Sequence, residues 1–325
     1  MLIYAPLEHL DIRYTTHLDR DILNYLNKKQ EQTNREYIYL SPLTLSKGIS
    51  NGSFLDSNNT VYRQFTQINQ LIDYLIKGII PKQSTLFVTD IWNFGLLSIP
   101  YLNFFGNYDI RVKGVLHAGS FTDTDFVRRL ERYYKGFEDI LFDITDEIFV
   151  GSQFIKNDIV EKRIVREDKI KVTGLPLDEK GLAETKRLEK ENLIVFNGRN
   201  VDEKQPYLFD LLSQNLPDYE YVNTHKHNLS KRDYYHLLSR AKVVVSYALQ
   251  ENFGYGIMEA VRLGCIPVLP NRLVYPEFYP KEYLYSTFEQ SVELVYHAMN
   301  DNLKVPTLDS IPSQQKIFDT WFHDY

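Results

Sequence analysis

Short apolar runs alternate with amphipathic stretches along the chain, and this alternation limits the folds open to it more than any single motif does. Apolar runs too short for helices, separated by segments with helical spacing, are the pattern of parallel strands joined by crossover helices. In the first half, strands are expected at Leu2–Ala5, Tyr37–Leu40, Thr85–Thr89, Val112–His117, Glu147–Val150 and Lys169–Val172. Helices are expected at Arg20–Lys29, Val61–Lys77, Phe126–Lys135 and Ser152–Arg163; Phe65, Ile68, Leu71, Ile72 and Leu75 supply the apolar spacing of the second. Gly174–Asp178 and the charged stretch Glu179–Glu191 read as a linker. Beyond it the pattern restarts, with strands at Leu193–Phe196, Tyr219–Asn223, Val243–Tyr247 and Ile266–Leu269 and helices at Tyr207–Gln214, Lys231–Ala241 and Tyr255–Leu263. Two successive α/β halves put a ligand cleft between domains. A closing aromatic segment, with Trp321 and Phe322, must pack somewhere.

Composition narrows the class further. At 325 residues the chain suits two domains, and 43% apolar with 25% charged residues is neither disordered nor fibrous. The single cysteine, Cys265, excludes an internal disulfide and fits a reducing, cytoplasmic compartment. The N-terminus, MLIYAPLEHLDIR, lacks the basic and long apolar regions of a signal peptide, and the apolar window Thr85–Phe105 carries Asp90, Asn93 and Pro100, a poor membrane span. A net charge of −6 argues against coating nucleic acid by bulk electrostatics, though not against one local basic groove.

Two stretches stand out chemically, both directly after expected strands. In Glu251-Asn-Phe-Gly-Tyr-Gly-Ile-Met-Glu259, glycines in a strand-to-helix turn let backbone N–H groups approach an anion, and a carboxylate such as Glu259 can accept two hydrogen bonds from a vicinal diol. The same residues also fit a capped helix with Glu259 on a solvated face. In Val195-Phe-Asn-Gly198-Arg199-Asn-Val-Asp-Glu-Lys204-Gln-Pro206, Gly198 permits the tight exit and Arg199 with Lys204 supplies the two cations a diphosphate requires; a solvated loop is the competing reading. His117 follows a first-half strand, and Asp90-Ile-Trp92-Asn93 follows the one before it, either as a binding wall or as a turn with a buried Trp. Asp123-Thr-Asp125 invites a metal but reads better as a cap on the helix near Phe126, so no metal is expected. On that helix Arg128, Arg132 and Lys135 share one face, a stripe for phosphates or simply a solvated surface.

Together these segments resemble the retaining, GT-B-fold glycosyltransferases of the family 4 type. Leu229–Ser246, the Glu251-x7-Glu259 spacing, Gly264-Cys-Ile-Pro267, Val150-Gly-Ser152 and the run from Lys169 to Asp178 occur in that family's order. Leu273–Thr287 and the Arg199-x4-Lys204-x-Pro206 spacing are similar to the tRNA-queuosine mannosyltransferase group, whose Gly-Gly-Ser-His loop stands here as Tyr14-Thr-Thr-His17 without the glycines. The resemblance implies two Rossmann-like domains facing across a cleft: an acceptor-side domain over 1–176, a donor domain over 177–300, and a tail over 301–325 crossing back onto the first. It also implies transfer of a sugar from a UDP- or GDP-linked donor to an acceptor hydroxyl, with a hydroxyl on a modified nucleobase in tRNA or DNA preferred. A cell-envelope glycan, a lipid or a small molecule is the alternative acceptor, and a non-catalytic sugar-nucleotide binder the alternative class. Arg199 and Lys204 would then hold the diphosphate, Glu251 and His117 the transferred sugar, Glu259 the ribose, and the N–H groups of Asn252, Phe253 and Gly254 the sugar and phosphate, with Gly198 alongside. His225, at the end of a strand in the same sheet, is placed to read the donor base. His17, Asp90, Trp92, Ser120, Arg128 and Arg132 would form the acceptor side. No cofactor is needed beyond the nucleotide-sugar co-substrate, and the oligomeric state is left open.

Overall fold

The computed structural model describes residues 1–9, 14–45 and 56–325. It divides into one unit of residues 1–151, 155–175 and 314–325, and a second of 152–154 and 176–313.

Unit 1 holds six strands, β1 (Leu2–Ala5), β2 (Tyr37–Tyr39), β3 (Gln83–Val88), β4 (Asp109–Leu116), β5 (Glu147–Val150) and β6 (Ile170–Val172). They pair in parallel in the order β2-β1-β3-β4-β5-β6. The crossovers carry α1 (Tyr14–Thr33), α2 (Ser57–Ile76), α3 (Ile99–Gly106), α4 (Glu131–Ile144) and α5 (Gln153–Lys162). Unit 2 contains α6 (Glu179–Glu184), β7 (Glu191–Phe196), α7 (Pro206–Asn215), β8 (Glu220–Asn223), α8 (Lys231–Arg240) and β9 (Ala241–Val245), followed by α9 (Tyr255–Arg262), β10 (Ile266–Pro270), α10 (Tyr275–Phe278), β11 (Leu284–Tyr285) and α11 (Phe288–Met299). Its sheet is also parallel, in the order β11-β10-β9-β7-β8. Strands covered by helices on both faces become continuous apolar runs, and β1 and β10 are buried at every position. In each sheet the strand order reverses once, between β1 and β3 and between β7 and β9. Loops diverge there at the carboxyl ends of the strands, leaving room for a ligand.

Several elements depart from the sequence reading, for identifiable reasons. Tyr14–His17, read as a loop, is the first turn of α1. The stretch read as a linker contains α6, capped by the Asp178 carboxylate, which accepts from the Gly181 N–H at 3.1 Å, and anchored by buried Leu182. Ile68, Leu71 and Leu75 of the expected apolar face of α2 are buried, but Phe65 is 48% exposed, and the buried face also takes in Arg63, Gln64 and Gln67. These side chains bind main-chain carbonyls of the loops above the sheet: Gln67 Nε2 donates to Pro6 (2.9 Å) and Leu40 (3.3 Å), and Gln64 Nε2 to Trp92 (2.9 Å). A helix that satisfies loop carbonyls needs amides where periodicity expects carbon. The helix α11 was not expected, although Thr287 and Gln290 form a capping box at its start.

The aromatic tail forms α12 (Gln314–Trp321) in unit 1. Trp321 packs against Phe87 at 5.7 Å and Phe149 at 6.2 Å, and its indole N–H donates to Thr173 Oγ1 at 3.1 Å. Tyr25 meets Phe318 at 5.5 Å and donates its hydroxyl proton to Asp319. Emptying the Trp321 site is expected to cost about 3–5 kcal/mol of unit 1 stability. Denaturant titration of Trp321→Ala, followed by the fluorescence of the remaining Trp92, checks this; a loss below about 1 kcal/mol would show that α12 is dispensable packing.

Candidate functional site

At the strand-order reversal of unit 2, the loop after β7 meets the loop after β9. The exit from β7 requires Gly198, since a Cβ there would sit 2.8 Å from the Phe196 ring. A short 3-10 turn, Asp202–Lys204, then points Lys204 inward. The buried Lys204 ammonium donates to the Gln250 carbonyl, to Glu251 Oε2 at 3.1 Å and to Gln250 Oε1 at 3.5 Å. A backbone bond from Leu249 N–H to the Glu203 carbonyl, 2.7 Å, runs beside it.

Glu251 Oε1 accepts from the N–H groups of Asn252 (3.2 Å) and Gly254 (3.0 Å). Gly254 adopts φ +84°, a left-handed conformation suited to glycine, and caps the N-terminus of α9. Burial works to raise the Glu251 carboxyl, but Lys204 and the loop N–H groups outweigh it and hold the group below 4.5. A carboxylate over a helix N-terminus is an anion in the place where anions bind.

One face of α9 carries Glu259, only 3% exposed, which removes the solvated-face alternative. Its Oε1 accepts from Lys231 Nζ at 2.6 Å and from the Tyr235 hydroxyl at 2.8 Å. Lys231 lies over the Tyr235 ring at 4.7 Å and the Tyr234 ring at 5.3 Å. Burial, then the Glu259 charge, pushes both tyrosine hydroxyls far above their ordinary range. Asn197, beside Gly198, donates to Tyr234 Oη (3.0 Å) and to the Gly256 carbonyl (2.7 Å), tying β7 to α9. Lys231, Tyr235, Asn197 and Gln250 were missed by sequence reasoning, because no local pattern announces a partner many residues away.

Several of the expected groups are already engaged within the chain. Arg199 and Lys204 do lie at the carboxyl end of the sheet, but each is paired, Lys204 with Glu251 and Arg199 with Glu203 at 2.8 Å. The N–H groups of Asn252 and Gly254, expected to face sugar and phosphate, are turned onto the Glu251 carboxylate. Phe253 is buried against Tyr255 (5.1 Å) and Phe278 (5.6 Å). His225 follows β8, and its imidazole is pushed below 6.5 by partial desolvation and then by the Arg199 charge, which places the two side chains in one electrostatic neighbourhood.

In unit 1, His117 directly follows β4, and its Nε2–H donates to the Thr89 carbonyl at 2.9 Å. Asp90 Oδ1 accepts from the Trp92 N–H at 3.0 Å, closing a turn after β3. Trp92 is half-buried among Phe94 (5.2 Å), Tyr134 (5.1 Å) and Phe137 (5.7 Å). Ser120 is fully buried and bonds to Glu138, so its hydroxyl does not face solvent. His17 is buried on α1.

The basic stripe is broken: Arg128 sits on a 3-10 turn, Phe126–Leu130, and Arg132 on α4. Arg128 also donates to the Ser120 carbonyl and pairs with Glu131 and Asp123, while Lys135 pairs with Asp139; Arg132 is exposed beside Tyr133. Asp125 caps the 3-10 turn through the Val127 N–H, and Asp123 pairs with Lys162 at 2.9 Å. Among the described residues no group of three acidic, His or Cys side chains could hold a metal ion.

No protein-family profile matches the chain. Among solved structures, the ligand-free lipopolysaccharide outer-core galactosyltransferase WaaB is 12% identical with a TM-score of 0.64, each chain covered completely. WaaG, a glycosyltransferase of lipopolysaccharide biosynthesis, is 12% identical with a TM-score of 0.58 over 99% of this chain and 100% of its own. The α,α-trehalose 6-phosphate synthase of Burkholderia multivorans is 9% identical with a TM-score of 0.61 over 99% and 95%. The fold is therefore GT-B. A curated relative, the tRNA-queuosine alpha-mannosyltransferase of Drosophila melanogaster, is 41% identical over 70 residues, 22% of this chain and 19% of the relative's length.

Because its folded value lies below 4.5, Glu251 contributes stability that is fully present above that pH and lost as pH falls through the folded value. Glu251→Gln should therefore flatten part of the acid limb of a melting temperature–pH profile while leaving its neutral-to-alkaline shape alone. An unchanged acid limb would mean that the Lys204–Glu251 pair does not stabilise the fold.

Proposed function

We propose that the chain is a retaining glycosyltransferase that moves a sugar from a UDP- or GDP-linked donor to an acceptor hydroxyl. The observation carrying this reading is the joint placement of Lys204, Glu251 and Glu259 at the strand-order reversal of unit 2, within a GT-B fold. Arg199 and Lys204 take the diphosphate, Glu259 the ribose hydroxyls and Glu251 the sugar hydroxyls, with His225 toward the base. Lys204 begins paired, so the diphosphate competes with Glu251 for its ammonium, and the freed carboxylate becomes an acceptor for sugar hydroxyls. Unit 1 carries the residues assigned to the acceptor side, and His117 among them.

The chemistry is departure of the nucleoside diphosphate from the sugar's anomeric carbon, with the acceptor oxygen bonding to that carbon on the same face and its proton passing to the departing phosphate. Catalysis is then positioning together with stabilisation of charge on the leaving diphosphate, and no metal is invoked. Arg199→Ala should lower kcat by about a hundredfold, more than His117→Ala does. The reverse ranking in steady-state kinetics would move the catalytic role to His117.

The preferred acceptor is a hydroxyl on a modified nucleobase in tRNA or DNA, supported by the match to the queuosine mannosyltransferase. A glycan or lipid acceptor is the second reading, favoured by the lipopolysaccharide enzymes among the fold neighbours. We place the reaction in the cytoplasm; among the described residues no helix is long and apolar enough to cross a membrane. A nucleotide at about 100 times its Kd adds roughly 2.7 kcal/mol to the folded state. Thermal-shift titrations with UDP and GDP should show one nucleotide stabilising the wild type and neither stabilising Glu259→Ala. No shift from either would favour a protein without a donor site.

A further inference from the structure

Glu138 lies on α4, completely buried, and four donors converge on its carboxylate. Oε1 accepts from the Ser120 N–H at 2.5 Å and the Trp92 indole N–H at 3.0 Å. Oε2 accepts from the Ser120 hydroxyl at 2.8 Å and Arg163 Nε at 2.7 Å, and Arg163 Nη2 donates in turn to Ser120 Oγ at 3.1 Å. Trp92 belongs to the loop that leaves β3, and Ser120 to the loop that leaves β4. These strands are neighbours, so both loops rise from the carboxyl edge of the sheet, where parallel α/β sheets bind ligands. One carboxylate thus grips two adjacent ligand-side loops.

The grip is close as well as polar. A Cβ at Gly119 would fall 2.3 Å from the Phe121 ring and 2.9 Å from Glu138 Oε1, so the backbone reaches the carboxylate only because residue 119 is glycine. A second tie between the same loops, from the His117 imidazole to the Thr89 carbonyl at 2.9 Å, lies at the strand ends. Burying an ion pair gains little stability over apolar packing of the same volume, so Glu138 and Arg163 are poorly explained as core filling. What the carboxylate supplies that carbon cannot is four directed acceptor contacts.

We propose that Glu138 is a positioning residue that holds residues 89–93 and 117–125 in register for the acceptor, an inference that rests on the glycosyltransferase reading. It touches no reacting group and acts through Trp92, Ser120 and the main chain between Ser120 and His117. The nucleotide half of the reaction, in unit 2, is independent of it.

The test compares wild type with Glu138→Gln and with the double variant Glu138→Gln/Arg163→Met, which removes both charges so that no unpaired cation is left buried. In the folded variants, hydrogen exchange in residues 89–93 and 117–125 should rise together by about tenfold, with β3 and β4 unchanged. Transfer at low acceptor concentration should fall by about a hundredfold, while UDP or GDP affinity stays within about twofold. Unchanged exchange in both variants overturns the proposal. So does loosening of the loops without loss of transfer, or parallel loss of nucleotide affinity and transfer. If wild type transfers no sugar to any acceptor, the glycosyltransferase reading fails separately, and the exchange data still decide whether Glu138 holds the two loops.

Discussion

Lys204 reaches from the loop after β7 to Gln250 and Glu251 in the loop after β9, bridging the place where the strand order of the second sheet reverses. Its partner carboxylate accepts from the Asn252 and Gly254 N–H groups in the turn before α9, so one ion pair both joins the two loops and orders the turn that leads into the helix. The helix then carries Glu259 into a buried setting, where Lys231 and Tyr235 hold it. The protein thus keeps a negative group of its own where an anionic ligand would sit. Charge-assisted bonds of this kind are worth about 1.5–3 kcal/mol each, so on the proposed reading an incoming diphosphate would gain only the difference between its bonds and those it displaces. Such an exchange would lower nucleotide affinity, while the pairing keeps a cationic loop from standing unpaired in a partly desolvated site.

Unit 1 uses the same means for a different end. Its ligand-side loops are fixed by buried polar side chains: Gln64 and Gln67 of α2 from one set of carbonyls, and Glu138 of α4 from the Ser120 N–H and the Trp92 indole. Satisfied polar networks fix loop geometry more sharply than apolar contact, because each bond carries a direction. Several residues that look like binding groups in the sequence, Ser120 and Arg128 among them, are spent on this scaffolding.

The strands were legible because parallel sheets write themselves as short apolar runs, and β1 and β5 fall where the runs do. The start of α1 was misplaced because Tyr14–His17 resembles a loop motif, and the buried face of α2 was right at Ile68, Leu71 and Leu75 but not at Phe65, where the amides of Gln64 and Gln67 are buried instead. Glu251, Glu259, Gly198 and Lys204 could be singled out, since they cluster in sequence beside strand ends. Their pairing could not. Whether Lys204 faces solvent or Glu251 depends on two loops separated by two further helices and two strands, and nothing local encodes that meeting. Glu138 was invisible for the same reason, as a carboxylate in mid-helix whose partners are contributed by three other segments.

On the proposed function, the Lys204–Glu251 bridge is the seat of a nucleoside diphosphate. A crystal structure with bound UDP or GDP, whichever stabilises the protein, tests it most directly. A diphosphate is expected against Arg199 and Lys204, with ribose hydroxyls on Glu259 and the Lys204 ammonium drawn away from Glu251. A nucleotide bound elsewhere, with the bridge intact, would contradict it.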